Sequence, residues 1–531
     1  MSALCAPGHA TAASTPSITW PNTPPSGSPF PRSTKFSGVT FPGPYATYAT
    51  ADTWYPSWGA DGKLYSPYMD GLCDASGSYG GTPNPESAVG TAVISGDDPL
   101  KLNVSCSTHV VDRSGWDGRY ASASLNYHGI WYYGTYLLDN APQPGGKPCT
   151  GTYCTLGPFV GFDTSSNGGL TWQSAPETTS SPLFGESIAG GHRVELGALH
   201  FVDFGRDMQY SPDGYAYLVG HGGGGPTANN SWVAGSNVYL IRVKPSPATI
   251  NDPHAYEFYA GQANGQPVWS QNLADMQPLI SWPGHLGSTT ITYDPSLHTY
   301  LMWVTTPSDG LNTAGTFDQI LLESDSLTGP WRLVDYMARF GPQAYFLNVP
   351  SKFISGDGRT MWLSYSANYE NSAGASTPPG SQYSWVLREM TLDSAVQAPS
   401  SSTGPSSLGC RRARAPVARL TRPIRLSRTR ARIVGRARAR GCGRVAEVDV
   451  SIVRLRRRHR CQFVNAAGAL TAPRSCLRAI YIVASGTRRW SLKLLLHRLP
   501  AGTYLIHARA VGGNGRIERR THRNMARKRI R

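Results

Sequence analysis

Residues 51–71 read ADTWYPSWGADGKLYSPYMDG, and this pattern predicts a β-hairpin. The segment GADG at residues 59–62 is a turn signal, and aromatic residues flank it on both sides. If one strand leads from Asp52 to the turn and the other returns to Asp70, both carboxylates lie at the same edge of the hairpin. Two acids beside flat rings are typical of sites that cleave sugar chains, because one acid donates a proton, the other complements it, and the rings stack on sugar faces.

The same two acids also have a simpler interpretation. Asp52 precedes Thr53 and Asp70 precedes Gly71, and an Asp in such a position commonly caps a turn. A short motif by itself carries false positives. The catalytic hypothesis therefore depends on the fold in which the hairpin lies.

The composition indicates an all-β chain. The 531 residues include 58 Gly, 41 Pro, 27 Tyr and 14 Trp, and only 15% are charged. Short apolar or aromatic runs broken by Gly and Asp turns recur over residues 45–396, and no helical pattern persists for three turns. We predict a five-bladed β-propeller followed by a small β-sandwich, and a pair of β-sandwiches is the alternative for the first part. The clearest strand-forming runs are residues 129–136, 214–221, 237–243, 299–304 and 360–366.

Charge divides the chain near residue 400. The net charge is +16, yet residues 401–531 hold 33 of the 49 Lys and Arg and 3 of the 33 Asp and Glu. The predicted parts are a Ser/Thr/Pro-rich flexible leader or strap (1–44), the propeller (45–396), a Ser/Pro/Gly linker (397–409) and an Arg-rich β-sandwich with a basic tail (410–531). The last hairpin of the sandwich resembles immunoglobulin- or fibronectin-like modules of secreted bacterial enzymes.

The Arg residues of the last part largely alternate with apolar residues, as on the solvent face of strands. Such a surface favours non-specific binding of an anionic cell-wall polymer over sequence-specific binding of nucleic acid. No apolar run reaches the length of a transmembrane helix. We therefore expect a basic accessory module and no membrane span.

The nine cysteines show neither a CxxC pair nor zinc-ligand spacing with His. In a turn-rich chain they indicate disulfides and an oxidising compartment, so we expect a secreted protein. Cys149 and Cys154 close one short loop, and Cys461 and Cys476 are placed to close another. The small residues ATAAS at 10–14 are typical of a signal-peptide cleavage site, although no apolar segment precedes them, and we expect the signal peptide to be missing from this chain.

Two turn motifs support blade architecture. Residues 165–172 read SSNGGLTW and resemble the Asp-box of sialidase-like propellers, in which polar residues close a turn between blade strands and Trp172 packs beneath it. Asn167 stands where the box has Asp. Residues 323–331, ESDSLTGPW, resemble the corresponding turn of arabinanase- and xylosidase-like propellers. The box indicates blade architecture and carries no chemistry, and the second motif agrees with it.

Within a propeller, polar residues near the central funnel become candidates for the site. His200, Asp203 and Asp207 precede a strand that ends in His221, and a His among carboxylates can orient them or shift a pKa. Each of these residues is equally well explained as a satisfied polar group in a Gly-rich loop. Glu186 and Glu195 are reserve acids. The predicted catalytic residues are Asp52, Asp70 and Asp207, and the predicted substrate-binding residues are Trp54, Arg119, Tyr133, His200, Asp203, His221 and Asn348.

Five stretches together resemble a family of secreted bacterial and fungal five-bladed propellers, mostly of unknown function and related to endo-D-arabinanases. They are residues 51–58, 118–136, 200–222, 252–270 and 329–366, and the resemblance spans about residues 45–395. It implies a glycoside hydrolase acting on an arabinan-like polysaccharide, with the paired acids at Asp52 and Asp70 and no cofactor beyond a structural calcium ion in the funnel. Ala51 stands where the family often has Gly, which affects turn geometry more than acidity.

Two other functions are compatible with the sequence. A non-catalytic, lectin-like propeller would keep the aromatic residues and need neither acid. A polysaccharide lyase would need a base beside a cation, for which Tyr133, His200 and Arg119 are the candidates. For a hydrolase, a carboxyl separation of about 5–5.5 Å means retention and about 6.5–9.5 Å means inversion. The sequence contains no phosphate-binding loop, no GxSxG motif and no HExxH motif.

Overall fold

The structure of the 531-residue chain is a computed structural model. It describes residues 11–15, 17–74, 76–78, 89–107, 119–139, 155–189, 192–223, 231–308, 315–342, 344–366, 383–395, 414–440, 445–455, 460–464, 468–471, 473–476, 479–484, 486–512, 518 and 522–530.

These residues form β-strands and a few single-turn 3₁₀ segments, and none of the described residues lies in an α-helix. The all-β prediction is therefore confirmed. The short 3₁₀ segments are Arg206–Met208, Pro253–Ala255, Leu273–Asp275, Ser351–Phe353 and His522–Asn524. The chain divides into two compact units, Met1–Ala398 and Pro399–Arg531, and the division falls inside the predicted linker.

The first unit begins with four short strands that belong to its last sheet and continues with a six-stranded sheet. The four strands are β1 (Thr11–Ser14), β2 (Ile18–Thr19), β3 (Phe36–Phe41) and β4 (Pro44–Thr47). The six-stranded sheet contains β5 (Thr50–Asp52), β6 (Ser57–Trp58), β7 (Leu64–Cys73), β8 (Ser76–Ser78), β9 (Gly90–Ser95) and β10 (Asn103–Ser107).

Three antiparallel sheets follow in chain order. The first contains β11 (Arg119–Tyr127), β12 (Ile130–Asp139) and β13 (Thr155–Ser165). The next contains β14 (Gly197–Phe201), β15 (Ala216–Gly222), β16 (Asn237–Val243), β17 (Glu257–Ala263), β18 (Gln266–Ser270) and β19 (Ile280–Ser281). The third contains β20 (Thr289–Asp294), β21 (Thr299–Pro307), β22 (Thr316–Ser324) and β23 (Arg332–Pro342).

The last sheet of the unit brings the two ends of the unit together. Its later strands are β24 (Tyr345–Asn348), β25 (Thr360–Ser366) and β26 (Val386–Ser394), and both β3 and β4 pair with β26. Strand β7 contacts β11, β11 contacts β14, β14 contacts β20, and β20 contacts β24. Because β25 contacts β5, this series of sheets returns to its start. Such a cyclic order of antiparallel sheets is the arrangement of a β-propeller.

The expectation of a flexible leader over residues 1–44 is wrong for its described strands. Val39 in β3 lies opposite Leu392 in β26, and its side chain is fully buried. Phe36 and Phe41 on the same strand are 3% and 1% exposed and belong to the same apolar cluster. Apolar residues spaced along this segment therefore make it part of the last sheet, so the folded unit begins well before residue 45.

The Asp-box-like turn has the structure that the motif predicts. The Ser165 hydroxyl accepts a hydrogen bond from the Gly169 amide (2.9 Å), and the Asn167 side chain donates to the Thr171 hydroxyl (2.8 Å). The ring of Trp172 packs on Trp131, with 5.1 Å between ring centroids. The second motif likewise forms the turn between β22 and β23.

The second unit contains a three-stranded sheet and a six-stranded sheet that share one apolar cluster. The first sheet contains β27 (Arg414–Leu426), β28 (Arg430–Arg440) and β33 (Arg489–Leu495). The second contains β29 (Val445–Leu455), β30 (Arg460–Phe463), β31 (Arg474–Ser475), β32 (Ile482–Val483), β34 (Gly502–Gly512) and β35 (Met525–Ile530).

Two disulfides lie among the described residues. Cys461 and Cys476 are bonded, as their spacing predicts, and Cys73 on β7 is bonded to Cys106 on β10. The predicted Cys149–Cys154 loop lies outside the described residues.

Removing residues 1–44 should prevent the first unit from folding. The deletion strips Phe36, Val39 and Phe41 from the core, and burial of three such side chains contributes about 5–9 kcal/mol, which is comparable with a whole domain's stability of about 5–15 kcal/mol. Denaturant unfolding of the truncated chain measures this.

A matched pair of point variants avoids the deletion. Val39→Asp places a charge in the core, whereas Ser37→Asp places it on the exposed side of the same strand. We expect a loss of about 3 kcal/mol or more for Val39→Asp and little change for Ser37→Asp. Equal stability of the two variants would contradict the placement of β3.

Candidate active site

The hairpin predicted for residues 51–71 is present. Within β5 and β7, Thr50 lies opposite Leu72 and Asp52 opposite Met69, with a bulge between the two pairs. The Gly62 amide donates to the Gly59 carbonyl (3.0 Å) and closes the turn. Asp52 and Asp70 therefore lie at the same edge of the sheet, which confirms the proximity that the sequence predicts.

Asp52 is a buried carboxyl group with several hydroxyl partners. Thr53 donates to its Oδ1 (2.6 Å), and the Tyr345 hydroxyl donates to its Oδ2. Burial, reinforced by the negative charge of Asp70, raises the pKa of Asp52 from 3.8 to about 8, whereas hydrogen bonds from Thr53, Tyr345 and Tyr383 act in the opposite direction. At neutral pH this carboxyl group holds its proton.

Asp70 is more accessible than Asp52, because it is half-buried whereas Asp52 is 3% exposed. The Tyr383 hydroxyl contacts the Asp70 carbonyl oxygen and also interacts with the Asp52 carboxyl. The backbone of Asp70 is left-handed, with φ of 47°, and so is that of Thr53, with φ of 65°. This conformation is unusual for a β-branched residue, and such strain is often found at functional sites.

Tyr345 on β24 and Tyr136 on β12 lie near the two acids. Burial is the main cause that raises the pKa of Tyr345 well above its ordinary value, and the charge of Asp52 is the next. Burial also raises the pKa of Tyr136, and the charges of Asp52 and Asp70 raise it further. Tyr345 also packs edge-on against Trp232, at 4.7 Å between ring centroids. These hydroxyls are therefore proton donors rather than phenolates.

The two predicted histidines lie on β14 and β15, neighbouring strands of one sheet. His200 on β14 packs against the Tyr55 ring at 4.0 Å, and His221 Nε2 lies 2.9 Å from the Ser231 carbonyl oxygen. Burial lowers the pKa of His200 to about 3 and that of His221 to about 4. Both rings are neutral at physiological pH, so neither acts as a cationic ligand for a substrate.

Asp203, Asn348 and His200 line one cavity together with Tyr55. Asp203 accepts hydrogen bonds from the Ser351 hydroxyl (2.6 Å), the Ser351 amide (2.7 Å) and the Gly205 amide (2.9 Å). Asn348 donates to the Trp54 carbonyl oxygen (2.8 Å). Asp203 thus connects the segment after β14 to the Ser351–Phe353 segment, and Asn348 connects β24 to the segment after β5.

The structure does not bring Asp207 to Asp52 and Asp70, which corrects the predicted catalytic trio. Asp207 follows the end of β14, accepts a hydrogen bond from the His128 amide (2.7 Å) and lies 3.9 Å from the His128 ring nitrogen. Its neighbour Arg206 binds the carbonyl oxygen of Ala60 in the hairpin turn. Asp207 therefore lies at the turn end of the hairpin, whereas Asp52 meets Tyr345 where β24 begins.

Two predicted sugar-binding rings are packed into the core. Trp54 is 1% exposed and stacks between Tyr68 (5.5 Å) and Trp385 (4.8 Å), so both of its faces are covered. Tyr133 is fully buried and donates to the Gly90 carbonyl oxygen (2.9 Å). Neither ring can stack on a sugar in this arrangement. Arg119, at the start of β11, is 6% exposed.

The reserve acids lie just before β14. Glu186 accepts hydrogen bonds from the amides of Glu195 (2.6 Å) and Leu196 (3.1 Å), and burial raises its pKa to about 7. Tyr239 donates to Glu195 at 3.5 Å, and burial also raises the pKa of Glu195. Glu186 thus holds the loop that precedes β14.

Sequence reasoning missed Tyr345 and Tyr383, the hydroxyl partners of the acid pair. Tyr345 is 293 residues from Asp52 in the chain. No local motif marks it, because its role follows from the return of the last sheet to the first. The pairing of N-terminal strands with β26 is the feature that would have identified it.

Among the described residues, no group of three or more His, Cys, Asp or Glu side chains could hold a metal ion. The structural calcium ion stays a prediction. No helix in the described part of the chain is both long and apolar enough to cross a membrane.

No protein-family model and no curated protein matches the sequence. Similar solved structures include an α-L-arabinanase mutant of Cellvibrio cellulosa (10% identity, 65% of this chain and 92% of that chain, TM-score 0.35). They also include a xylan β-1,4-xylosidase of Bacillus halodurans (10% identity, 90% of this chain and 92% of that chain, TM-score 0.34). A third is an enzyme described as GH43_1 from Xanthomonas citri (10% identity, 65% of this chain and 87% of that chain, TM-score 0.34). At these identities and TM-scores the similarity assigns no activity to this chain.

The pKa of Asp52 makes stability depend on pH. Between pH 3.8 and about 8 the Asp52 carboxyl keeps its proton in the folded chain and loses it in the unfolded chain. Its contribution to the free energy of unfolding is therefore complete at low pH and is lost as the pH rises towards 8. The slope is up to about 1.4 kcal/mol per pH unit. We expect Asp52→Asn to remove this slope from unfolding free energies measured between pH 4 and 9.

Asp70→Asn is a second variant, which tests the direction in which the pKa of Asp52 changes. Removing the charge of Asp70 lowers the pKa of Asp52, so the same loss of stability should occur at lower pH than in the unaltered protein. An unaltered pH dependence in both variants would contradict the raised pKa of Asp52.

Proposed function

We propose that this protein is a glycoside hydrolase that cleaves a polysaccharide by carboxylate acid/base catalysis, with Asp52 and Asp70 as the catalytic pair. One observation carries the proposal, namely that a buried carboxyl group with a raised pKa lies beside a second, more accessible carboxyl group. A buried acid that keeps its proton, next to a second acid that is closer to solvent, is an arrangement that divides acid and base roles between the two. An arabinan-like glycan is the proposed substrate class.

Asp52 is the general acid in this proposal. Its pKa of about 8 keeps the proton in place at neutral pH, ready for transfer to the glycosidic oxygen of the leaving sugar. Asp70 then acts as the ionised partner, either as the base that activates water or as the nucleophile. Tyr345 and Tyr383 stabilise the Asp52 carboxylate that forms when the proton has left, because their hydroxyls donate hydrogen bonds.

The lyase alternative receives less support from the geometry. Its proposed base, Tyr133, donates its hydroxyl proton to the Gly90 carbonyl oxygen (2.9 Å) within the core. Burial lowers the pKa of His200 to about 3, so it is a weak base. A non-catalytic carbohydrate-binding propeller is the better alternative, because burial by itself can maintain the Asp52 proton.

We further propose that the cyclic series of sheets is a five-bladed propeller and that the second unit is an immunoglobulin-like β-sandwich. The two disulfides among the described residues support a secreted protein, because disulfides persist in oxidising compartments. A structural calcium ion in the funnel is part of the same proposal, although the described residues contain no group of three or more His, Cys, Asp or Glu side chains that could hold it.

The test is a screen of the full chain on a polysaccharide panel that includes arabinan and arabinogalactan, with Asp52→Asn alongside. We expect release of reducing ends, and a loss of about 10²–10⁴ in kcat for Asp52→Asn. Asp61→Asn, in the exposed turn of the same hairpin, is the matched control and should retain activity. Glycan binding without turnover, unchanged in Asp52→Asn, would instead support the binding module.

Tyr345→Phe tests which carboxyl group holds the proton. The Tyr345 hydroxyl favours the ionised form of Asp52, so its removal raises the pKa of Asp52 further. We expect the alkaline limb of the kcat/KM profile, near pH 8 in the unaltered enzyme, to move to higher pH. A shift of the acidic limb instead would assign the proton to another group.

A further inference from the structure

The outer face of the three-stranded sheet in the second unit carries two rows of cations. Arg436 on β28 lies opposite Arg419 on β27 and opposite Arg489 on β33. Arg432 likewise lies opposite Arg425 and Lys493. All six side chains are exposed, and we call this surface the cationic face. Its residues are Arg419, Arg425, Arg432, Arg436, Arg489 and Lys493.

The positive charges of the cationic face are not neutralised by carboxylates of the described residues. Among the described side chains, none of its six residues pairs with a carboxylate, and the ion pair of this unit, Arg509 with Asp449, belongs to the other sheet. Like charges directly opposite each other destabilise a sheet. The alternate residues of the same strands, such as Ile433 and Trp490, are buried, so the fold requires an outward face here but not one made of arginines.

Between the two rows lies a strip of short, uncharged side chains. Thr421, Val434 and Ser491 lie opposite one another across the three strands, and each is partly exposed. Arg432 and Arg436 are four residues apart on β28, so the rows are separated by about 13 Å along the strands, and the strands that carry the cations of one row are about 4.8 Å apart. The face is therefore a neutral floor with a line of long cationic side chains on each side.

We propose that the cationic face binds a linear polyanion that runs across the strands, with its backbone over the Thr421–Val434–Ser491 floor and its anionic groups between the two rows. This inference goes beyond the proposed hydrolase function and does not depend on it. Arginine guanidinium groups bind phosphate and carboxylate in a two-pronged geometry. A flat anionic membrane would gain nothing from a neutral strip between the rows, whereas a single polymer chain fits over it.

The test measures binding of the full chain to long-chain polyphosphate and to polygalacturonate, two polymers that distinguish phosphate from carboxylate recognition. The face variant is Arg419→Gln with Arg436→Gln and Arg489→Gln. The matched control is Arg523→Gln with Arg527→Gln and Arg529→Gln, which removes the same charge from exposed positions outside the cationic face. We expect at least tenfold weaker binding of one or both polymers by the face variant and less than threefold for the control.

Equal losses of polymer affinity in the two triple variants would overturn the proposal and indicate diffuse electrostatic attraction. Absence of binding to both polymers would also overturn the proposal. Six contacts also predict a slope of about −4 for log affinity against log salt concentration. Ser491→Trp, which raises the floor without changing charge, should weaken polymer binding about fivefold or more. Binding to vesicles of equal parts phosphatidylglycerol and phosphatidylcholine is measured as well. Tighter binding to these vesicles than to either polymer, unchanged by Ser491→Trp, would contradict a linear ligand.

Discussion

The hydrogen bond from Tyr345 to Asp52 joins the first sheet of the propeller-like unit to the last. It exists only because β3 and β4 pair with β26, which returns the end of the unit to its beginning. The same closure encloses Asp52 and removes water from its carboxyl group, and this burial is the main reason for its raised pKa. The chemistry proposed for the site therefore depends on the closure of the ring.

Local patterns predicted the elements whose cause is local. The turn at residues 59–62 and the box at residues 165–172 are set by Gly, Asp and Ser side chains that bond to nearby backbone, so their structure follows from a few adjacent residues. The same holds for the alternation of Arg with apolar residues on β28, which predicted its exposed face. The all-β class followed from composition in the same way.

The predictions that failed concern contacts between distant segments. Trp54 is a plausible sugar platform as an isolated aromatic residue, yet Tyr68 and Trp385 cover both of its faces. Asp207 belongs to the other end of the hairpin because the chain turns after β14, and residue spacing does not show that turn. Residues 1–44 have the composition of a flexible leader, whereas well-spaced apolar side chains such as Val39 place β3 of this segment in a sheet.

The proposed chemistry depends on the raised pKa of Asp52, which keeps its carboxyl group protonated at neutral pH. Infrared difference spectra of the unaltered protein minus Asp52→Asn report the carbonyl band of this carboxylic acid, because the buried acids that do not interact with Asp52 cancel. The structure predicts a band of protonated carboxyl at pH 7 that disappears as the pH rises through about 8. A difference spectrum that shows only ionised carboxylate at pH 7 would contradict the account.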